Sequence, residues 1–112
     1  MIEYRRGTLD RTFAALAHPT RRAIVRQLSD GALTVTEVAK PHPISLAAVS
    51  KHLDVLENAG LLRRTREGRV QRCSLIGEPL AETARWVEQY RAFWEQQLGA
   101  LSRYLAAKRR RS

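Results

Sequence analysis

A mostly α (α+β) fold, in which short helices lead into a two-stranded hairpin and a long closing helix, follows from three observations on the 112-residue sequence. Apolar residues recur at three- and four-residue spacings along most of the chain, as they do in helices buried on one face. Residues 61–75 instead read as two short β runs around a turn. The formal net charge of +9 is gathered in a few places, not spread evenly. So short a chain supports one hydrophobic core and leaves little room for the loops of an enclosed catalytic cleft. With 44% hydrophobic and 28% charged residues, it has the balance of a folded domain, not of a disordered tail.

The first helix is expected over residues 9–17, with Leu9, Phe13 and Leu16 inward and Thr8 as its N-cap. It ends before His18-Pro19, and Pro19 suits the first turn of a second helix running to about Ser29, with Ile24, Val25 and Leu28 inward and Asp30-Gly31 as the stop. Thr34-Val35-Thr36-Glu37 fits a capping box and opens a third helix, kept short by Pro41 and Pro43 on either side of His42. Ser45 then caps a fourth helix from Leu46 to Asn58, closed by Gly60. At 100° per residue, Val49, Leu53 and Leu56 share one narrow stripe, while Ala47, Ser50, Lys51, Asp54 and Asn58 lie opposite. Residues 61–65 and 70–75 form the hairpin around Arg66-Glu67-Gly68-Arg69, and Pro79 opens a helix through about Ala107.

Two consecutive helices joined by a turn, the second with a small polar outer face, then an arginine-rich hairpin, describe a winged helix-turn-helix. One domain is expected over 1–107, with the helix-turn-helix at about 34–59, the wing at about 61–76, a dimerisation helix at about 79–107 and a basic tail at 108–112. Small side chains at the start of the fourth helix would let its backbone settle into a major groove, where Ser50 and Lys51 meet base edges or phosphates. Hairpin arginines can reach flanking phosphates or a narrowed minor groove.

The charge distribution agrees. Residues 1–77 hold 13 basic and 7 acidic side chains, residues 78–107 hold 3 and 4, and Lys108-Arg109-Arg110-Arg111 adds four cations. Arg63, Arg64, Arg66, Arg69 and Arg72 face only Glu67, a cluster that would repel itself without a polyanion. Arg21 and Arg22 open the second helix, where cations oppose the helix dipole, so a compensating internal carboxylate is expected for at least one of them.

The matching stretches Ala15-Leu16-Ala17-His18-Pro19-Thr20-Arg21-Arg22, Ser45-Leu46-Ala47-Ala48-Val49-Ser50-Lys51-His52-Leu53 and Val55-Leu56-Glu57-Asn58-Ala59-Gly60-Leu61-Leu62 resemble the ArsR/SmtB-type bacterial repressors, over roughly residues 9–105. The resemblance implies a homodimeric repressor binding inverted-repeat operators in double-stranded DNA, with DNA contacts from Ser45, Leu46, Ala47, Ser50, Lys51 and His52. The chain departs from the metal-sensing members, which place two cysteines where Thr34-Val35-Thr36 stands here, and threonine offers no soft thiolate. All three histidines precede residue 60, so Glu78 and Glu82 in the last helix lack imidazole partners. The expectation is the subgroup without metal-binding cysteines, with no cofactor and no metal; no residue identifies a small-molecule effector.

Two features have competing readings. His52 serves either a structural hydrogen bond or a phosphate contact. Cys73, the single cysteine, cannot form an intrachain disulfide and reads as a small core residue ahead of a redox sensor. On the last helix Leu80, Ala84, Val87, Trp94, Leu98, Leu101 and Leu105 follow a seam broken by Arg91, and Trp86, Tyr90, Phe93 and Tyr104 form a second stripe. So wide an apolar arc is expected to form the dimer interface, joined by Leu9 and Phe13, ahead of an aromatic ligand pocket.

The rival function is a winged-helix protein-interaction module that uses this aromatic helix; structured RNA is a further candidate partner. An enzyme is not expected, for want of a paired nucleophile and base or a phosphate loop. No apolar run of the length of a membrane span exists, and Met1-Ile2-Glu3-Tyr4-Arg5-Arg6-Gly7 is followed by no apolar signal region, so a cytoplasmic, nucleoid-associated bacterial protein is expected.

Overall fold

A computed structural model describes residues 2–111, with side chains described from residue 7; Met1 and Ser112, at the two ends of the sequence reading, lie outside the described residues. The chain runs α1 (Ile2–Ala15), α2 (Pro19–Leu28), β1 (Leu33–Thr34), α3 (Val35–Ala39), α4 (Leu46–Asn58), β2 (Leu62–Glu67), β3 (Val70–Leu75) and α5 (Glu78–Arg111). Two compact units meet in sequence at Ala81 and Glu82, so α5 begins in the first and makes up the second.

α1 starts earlier than the cap signal at Thr8 suggests: the helix is continuous from Ile2, with Gly7 and Thr8 inside it. Propensity costs of about 1 kcal/mol or less at such residues are readily overridden by context. From residue 7 onward its buried positions are Leu9, Thr12 and Ala15, at successive three-residue steps. The Thr12 hydroxyl is fully buried and has no hydrogen-bond partner among the described residues.

α2 is capped in a way the sequence did not announce. His18 holds an extended backbone and its Nδ1 accepts from the Thr20 N–H at 3.1 Å, while Pro19 occupies the first turn. α3 carries the full capping box: Thr34 Oγ1 accepts from the Glu37 N–H at 3.1 Å and Glu37 Oε1 accepts from the Thr34 N–H at 2.8 Å. Ser45 Oγ accepts from the Ala48 N–H at 3.1 Å to start α4. Gly60 ends it with a φ of +78°, a left-handed conformation that favours glycine.

The expected stripe of α4 is the centre of the core. Val49, Leu53 and Leu56 are fully buried together with Ile24, Val38, Leu61 and Cys73, and Leu80 from the start of α5 packs on the same cluster. Each large apolar side chain withdrawn from water in this way stabilises the fold by about 1.5–3 kcal/mol.

The sheet has three strands, in the order β1-β3-β2, where the sequence suggested two. β1 pairs antiparallel with β3 through Leu33 opposite Cys73 and Thr34 opposite Arg72. Two residues are too few to show any alternating pattern, so the strand has no signature of its own. In the hairpin Glu67 stands opposite Val70, which leaves Gly68-Arg69 as a two-residue loop, tighter than the four-residue turn anticipated. Gly68 has φ of +63° and, among the described residues, none but glycine has a positive φ, so Arg69 does not, the pattern of a type II′ turn, which suits the twist of the flanking strands.

α5 continues for 34 residues, past the expected end near residue 107, and residues 108–111 form its last turn in place of a separate tail. Four cations there complement the partial negative charge of the helix C-terminus. No helix among the described residues is long and apolar enough to cross a membrane.

Leu53→Ala is expected to cost about 2–5 kcal/mol of unfolding free energy in urea titrations, because it opens a cavity at the centre of the core. Thr12→Val is expected to act in the opposite sense, raising stability by about 1–3 kcal/mol through removal of an unsatisfied buried hydroxyl; a lowered denaturation midpoint would contradict it.

Candidate nucleic-acid interface

The core stripe dictates what α4 shows to solvent. With Val49, Leu53 and Leu56 inward, Ser45, Leu46, Ala47 and Lys51 are exposed, and Ser50 and His52 are half-buried at the margins. Leu46 leaves 58% of its surface open although it is apolar. Short side chains over the first turn allow close approach of a backbone or a base edge, and an open leucine suits a thymine methyl.

The hairpin arginines divide by environment. Arg63, Arg66 and Arg69 are exposed, and Arg72, on the central strand, is half-buried with its Nε 3.9 Å from Glu67. Arg64 departs from its expected role in DNA contact. Its side chain is only 17% exposed and its guanidinium donates to Asp54 Oδ1 and, at 3.0 Å, to Glu57 Oε1. A fork held by two carboxylates on α4 is committed within the protein, where it ties the wing to the outer side of that helix. Burial pulls the Arg64 pKa down and the two carboxylates push it up, with a net rise that keeps it charged.

A cleft of about 340 Å³ opens between the wing and the starts of α3 and α4, lined by Thr34, Val35, Thr36, Leu46, Arg66, Arg69, Val70 and Gln71. It brings the first residue of α4 and two wing arginines, expected from sequence, to a single concave surface. Gln71 was not singled out in the sequence, and Thr36 was named only within the capping-box run and in place of the metal-binding cysteines; the packing of α3 and β3 against the start of α4 brings both to the cleft. Thr34 also lines it, but its hydroxyl is occupied in capping α3. Among the described residues no group of three or more His, Cys, Asp or Glu could hold a metal ion.

His52 lies within a network behind α4. Its Nδ1 is 3.2 Å from Nη1 of Arg21, and its ring is 4.5 Å from that of His18. Burial lowers its pKa from 6.5, and His18, Arg21 and His42 add to the effect. Of its two readings, the structural hydrogen bond is the one seen at Nδ1. Among the described residues neither Arg21 nor Arg22 has the anticipated carboxylate partner. Both turn back to the C-terminus of α1, where Arg21 Nε donates to the Ala15 carbonyl at 2.6 Å and Arg22 Nη1 to the Leu16 carbonyl at 2.7 Å. The negative end of α1 does what an acidic side chain was expected to do.

Cys73 is fully buried on β3, and desolvation raises its thiol pKa above 9.0, with opposite and smaller effects from Arg64 and Glu57. Of the residues expected at a dimer interface, Leu9 is a correction, since it is buried within the single chain. Phe13, Trp86, Tyr90, Phe93, Trp94, Leu98, Leu101, Tyr104 and Leu105 are exposed, from 38% at Trp86 to 62% at Tyr104. Arg91, which interrupts the seam, is held by Glu88 and Glu95 one turn to either side.

A helix-turn-helix whose second helix presents small polar residues, bound edge to edge with an arginine-bearing hairpin, defines the winged helix-turn-helix class of DNA-binding proteins. Residues 16–65 match the family described as a helix-turn-helix domain. The crystal structure of an ArsR family transcriptional regulator is 40% identical, with a TM-score of 0.72, over 79% of this chain and 91% of that one. An ArsR-like transcriptional regulator from Rhodococcus sp. RHA1 is 34% identical, with a TM-score of 0.67, over 84% of this chain and 89% of that one. The transcriptional repressor SdpR of Bacillus subtilis is 30% identical over 70% of this chain and 88% of its own length. The HTH-type transcriptional regulator Rv2034 of Mycobacterium tuberculosis is 53% identical over 47% of this chain, a match that spans only half, 50%, of that regulator. The chain belongs to the ArsR family of transcriptional regulators.

Because its thiol is buried and its pKa raised, Cys73 is expected to react with an aromatic disulfide reagent at least tenfold more slowly in the native protein than in urea at pH 8. Equal rates would show that the β3 strand opens readily.

Proposed function

We propose that the chain is a homodimeric transcriptional repressor that binds an inverted-repeat operator in double-stranded DNA within the bacterial cytoplasm, acting by occupancy alone and with no catalytic step. The observation that carries this is the joining of the α4 N-terminus and the wing arginines around one cleft. In the mechanism, α4 enters the major groove, Ser50 and Lys51 meet base edges or phosphates, and Ser45, Leu46 and Ala47 allow close approach. Arg63, Arg66 and Arg69, with Arg72 behind them, engage flanking phosphates, and Thr36 and Gln71 add neutral hydrogen-bonding groups along the backbone in the cleft. Arg64 contributes by fixing the angle between wing and helix.

The dimer would form through the exposed apolar residues of α5, with Phe13 of α1 as a further exposed aromatic, since so many large apolar side chains left open on one helix mark an association surface. Two-fold pairing then sets two α4 helices into successive major grooves about one helical turn apart. Nothing at Thr34 or Thr36 supplies the thiolates a soft metal would require, so release by such a metal is not part of the proposal.

Selection of bound fragments from bacterial genomic DNA, with light scattering on the same preparation, tests both halves. A stable dimer that enriches inverted repeats is expected, its affinity falling by ~10³–10⁵ between 50 and 200 mM salt if 6–10 phosphates are neutralised. Lys51→Ala or Ser50→Ala should weaken the selected fragment by about 1–3 kcal/mol, whereas Arg66→Ala or Arg69→Ala should weaken all sequences alike and lower the salt slope by about 1 each. A monomer indifferent to DNA would favour the protein-interaction alternative, and preferential capture of duplex RNA would replace the operator claim.

A further inference from the structure

We propose that Arg21 is a positioning residue for DNA recognition: its guanidinium clasps the recognition helix α4, through His52, to the end of α1, and the clasp closes only while His52 is uncharged. This rests on the DNA-binding role proposed above.

The geometry is specific. One planar fork reaches three acceptors on two elements, with Nε donating to the Ala15 carbonyl at 2.6 Å, Nη2 to the Ala14 carbonyl at 3.4 Å and Nη1 lying 3.2 Å from His52 Nδ1. A guanidinium has donors only and stays protonated, so Nδ1 of His52 must be the acceptor and the ring proton must sit on Nε2. Beside it His18 uses its own Nδ1 to accept from the Thr20 N–H, and the two rings lie 4.5 Å apart. Among the described residues, Arg21 from α2 and His18 from the α1–α2 junction lie against His52, and His42 from the loop before α4 acts on it electrostatically. All are basic, and none can compensate a charge on His52.

The consequence for α4 is rotational. The buried stripe fixes how deeply the helix sits, and the clasp attaches to its flank one residue beyond Lys51 and two beyond Ser50, which fixes how those side chains are aimed. A proton on Nδ1 would set an imidazolium N–H against a guanidinium N–H and open the clasp. The sign follows from the direction of the His52 shift. The folded state holds His52 neutral to a pH below 6.5, so as pH falls below 6.5 the unfolded chain takes up the proton first, and the stability the clasp contributes declines until the folded pKa is reached.

Nitrogen-15 NMR of the histidine rings in the full chain without DNA reads the clasp directly, and fluorescence anisotropy with the tightest selected genomic fragment reads its effect on binding. The expected result is an Nε2–H tautomer for His52 that titrates below 6.5, with both properties lost in Arg21→Gln. Arg21→Gln should also weaken the fragment about tenfold at pH 7.5, and Arg21→Lys should not restore it, because an ammonium lacks the fork. Should Arg21→Gln unfold, His52→Asn serves instead, since it supplies a non-titrating acceptor at the Nδ1 position. The wild type should lose at least threefold more affinity than His52→Asn on going from pH 7.5 to 5.5. An Nδ1–H tautomer, or wild-type affinity in a folded Arg21→Gln, would overturn the proposal. So would an acid-induced gain in affinity that His52→Asn abolishes, which would make His52 a phosphate contact. Failure of every fragment to bind at any pH would instead remove the DNA-binding role and leave the NMR result to decide the clasp.

Discussion

The burial of Val49, Leu53 and Leu56 in α4 is the constraint from which the exposed surface follows. Three fully covered aliphatic side chains on one stripe leave the helix one orientation toward the core, since turning any of them to water would forfeit about 1.5–3 kcal/mol. The same stripe requires Ile24, Val38 and Leu61 to come from three other parts of the chain, so α2, α3 and the start of the hairpin are arranged around this one helix. What α4 shows to solvent is then a residue list already written by what it hides.

Seventeen arginines give the chain its basic character, yet the structure assigns them unlike tasks. Arg21 and Arg22 close the end of α1, Arg64 secures the hairpin to Asp54 and Glu57, and Arg91 sits between Glu88 and Glu95 on α5. Arg63, Arg66 and Arg69 stand in solvent. Net charge therefore overstates the cations available to a polyanion, and a guanidinium is suited to both uses because its fork matches carbonyls and carboxylates as well as phosphates.

Local chemistry made part of this legible in the sequence. The capping box at Thr34 and Glu37, the Ser45 cap and the 3-4 spacing of the α4 core residues involve neighbours within one or two turns, and each is found where the sequence places it. What the sequence concealed depends on partners far along the chain. Nothing adjacent to Arg64 reveals that Asp54 lies across from it, and nothing near Arg21 points to His52, 31 residues away. The early start of α1 escaped because a cap-like threonine is equally at home inside a helix that other contacts support. The places of Thr36 and Gln71 in the cleft escaped because an uncharged side chain carries no signal until the fold gives it neighbours.

β1 is the smallest element of the fold, only Leu33 and Thr34, yet it hydrogen-bonds to β3 and its last residue is also the cap of α3. The helix-turn-helix and its wing are thereby sewn along a shared edge, and Thr34 belongs to both. Wings of this construction are not interchangeable cassettes. A hairpin transplanted from a relative would have to bring residues that register against Leu33 and Thr34, or else shift the first turn of α3 as it settled. Substitutions at the outward side chains of the hairpin leave this shared edge untouched, whereas a change along its inner edge has to be matched by the helix it adjoins.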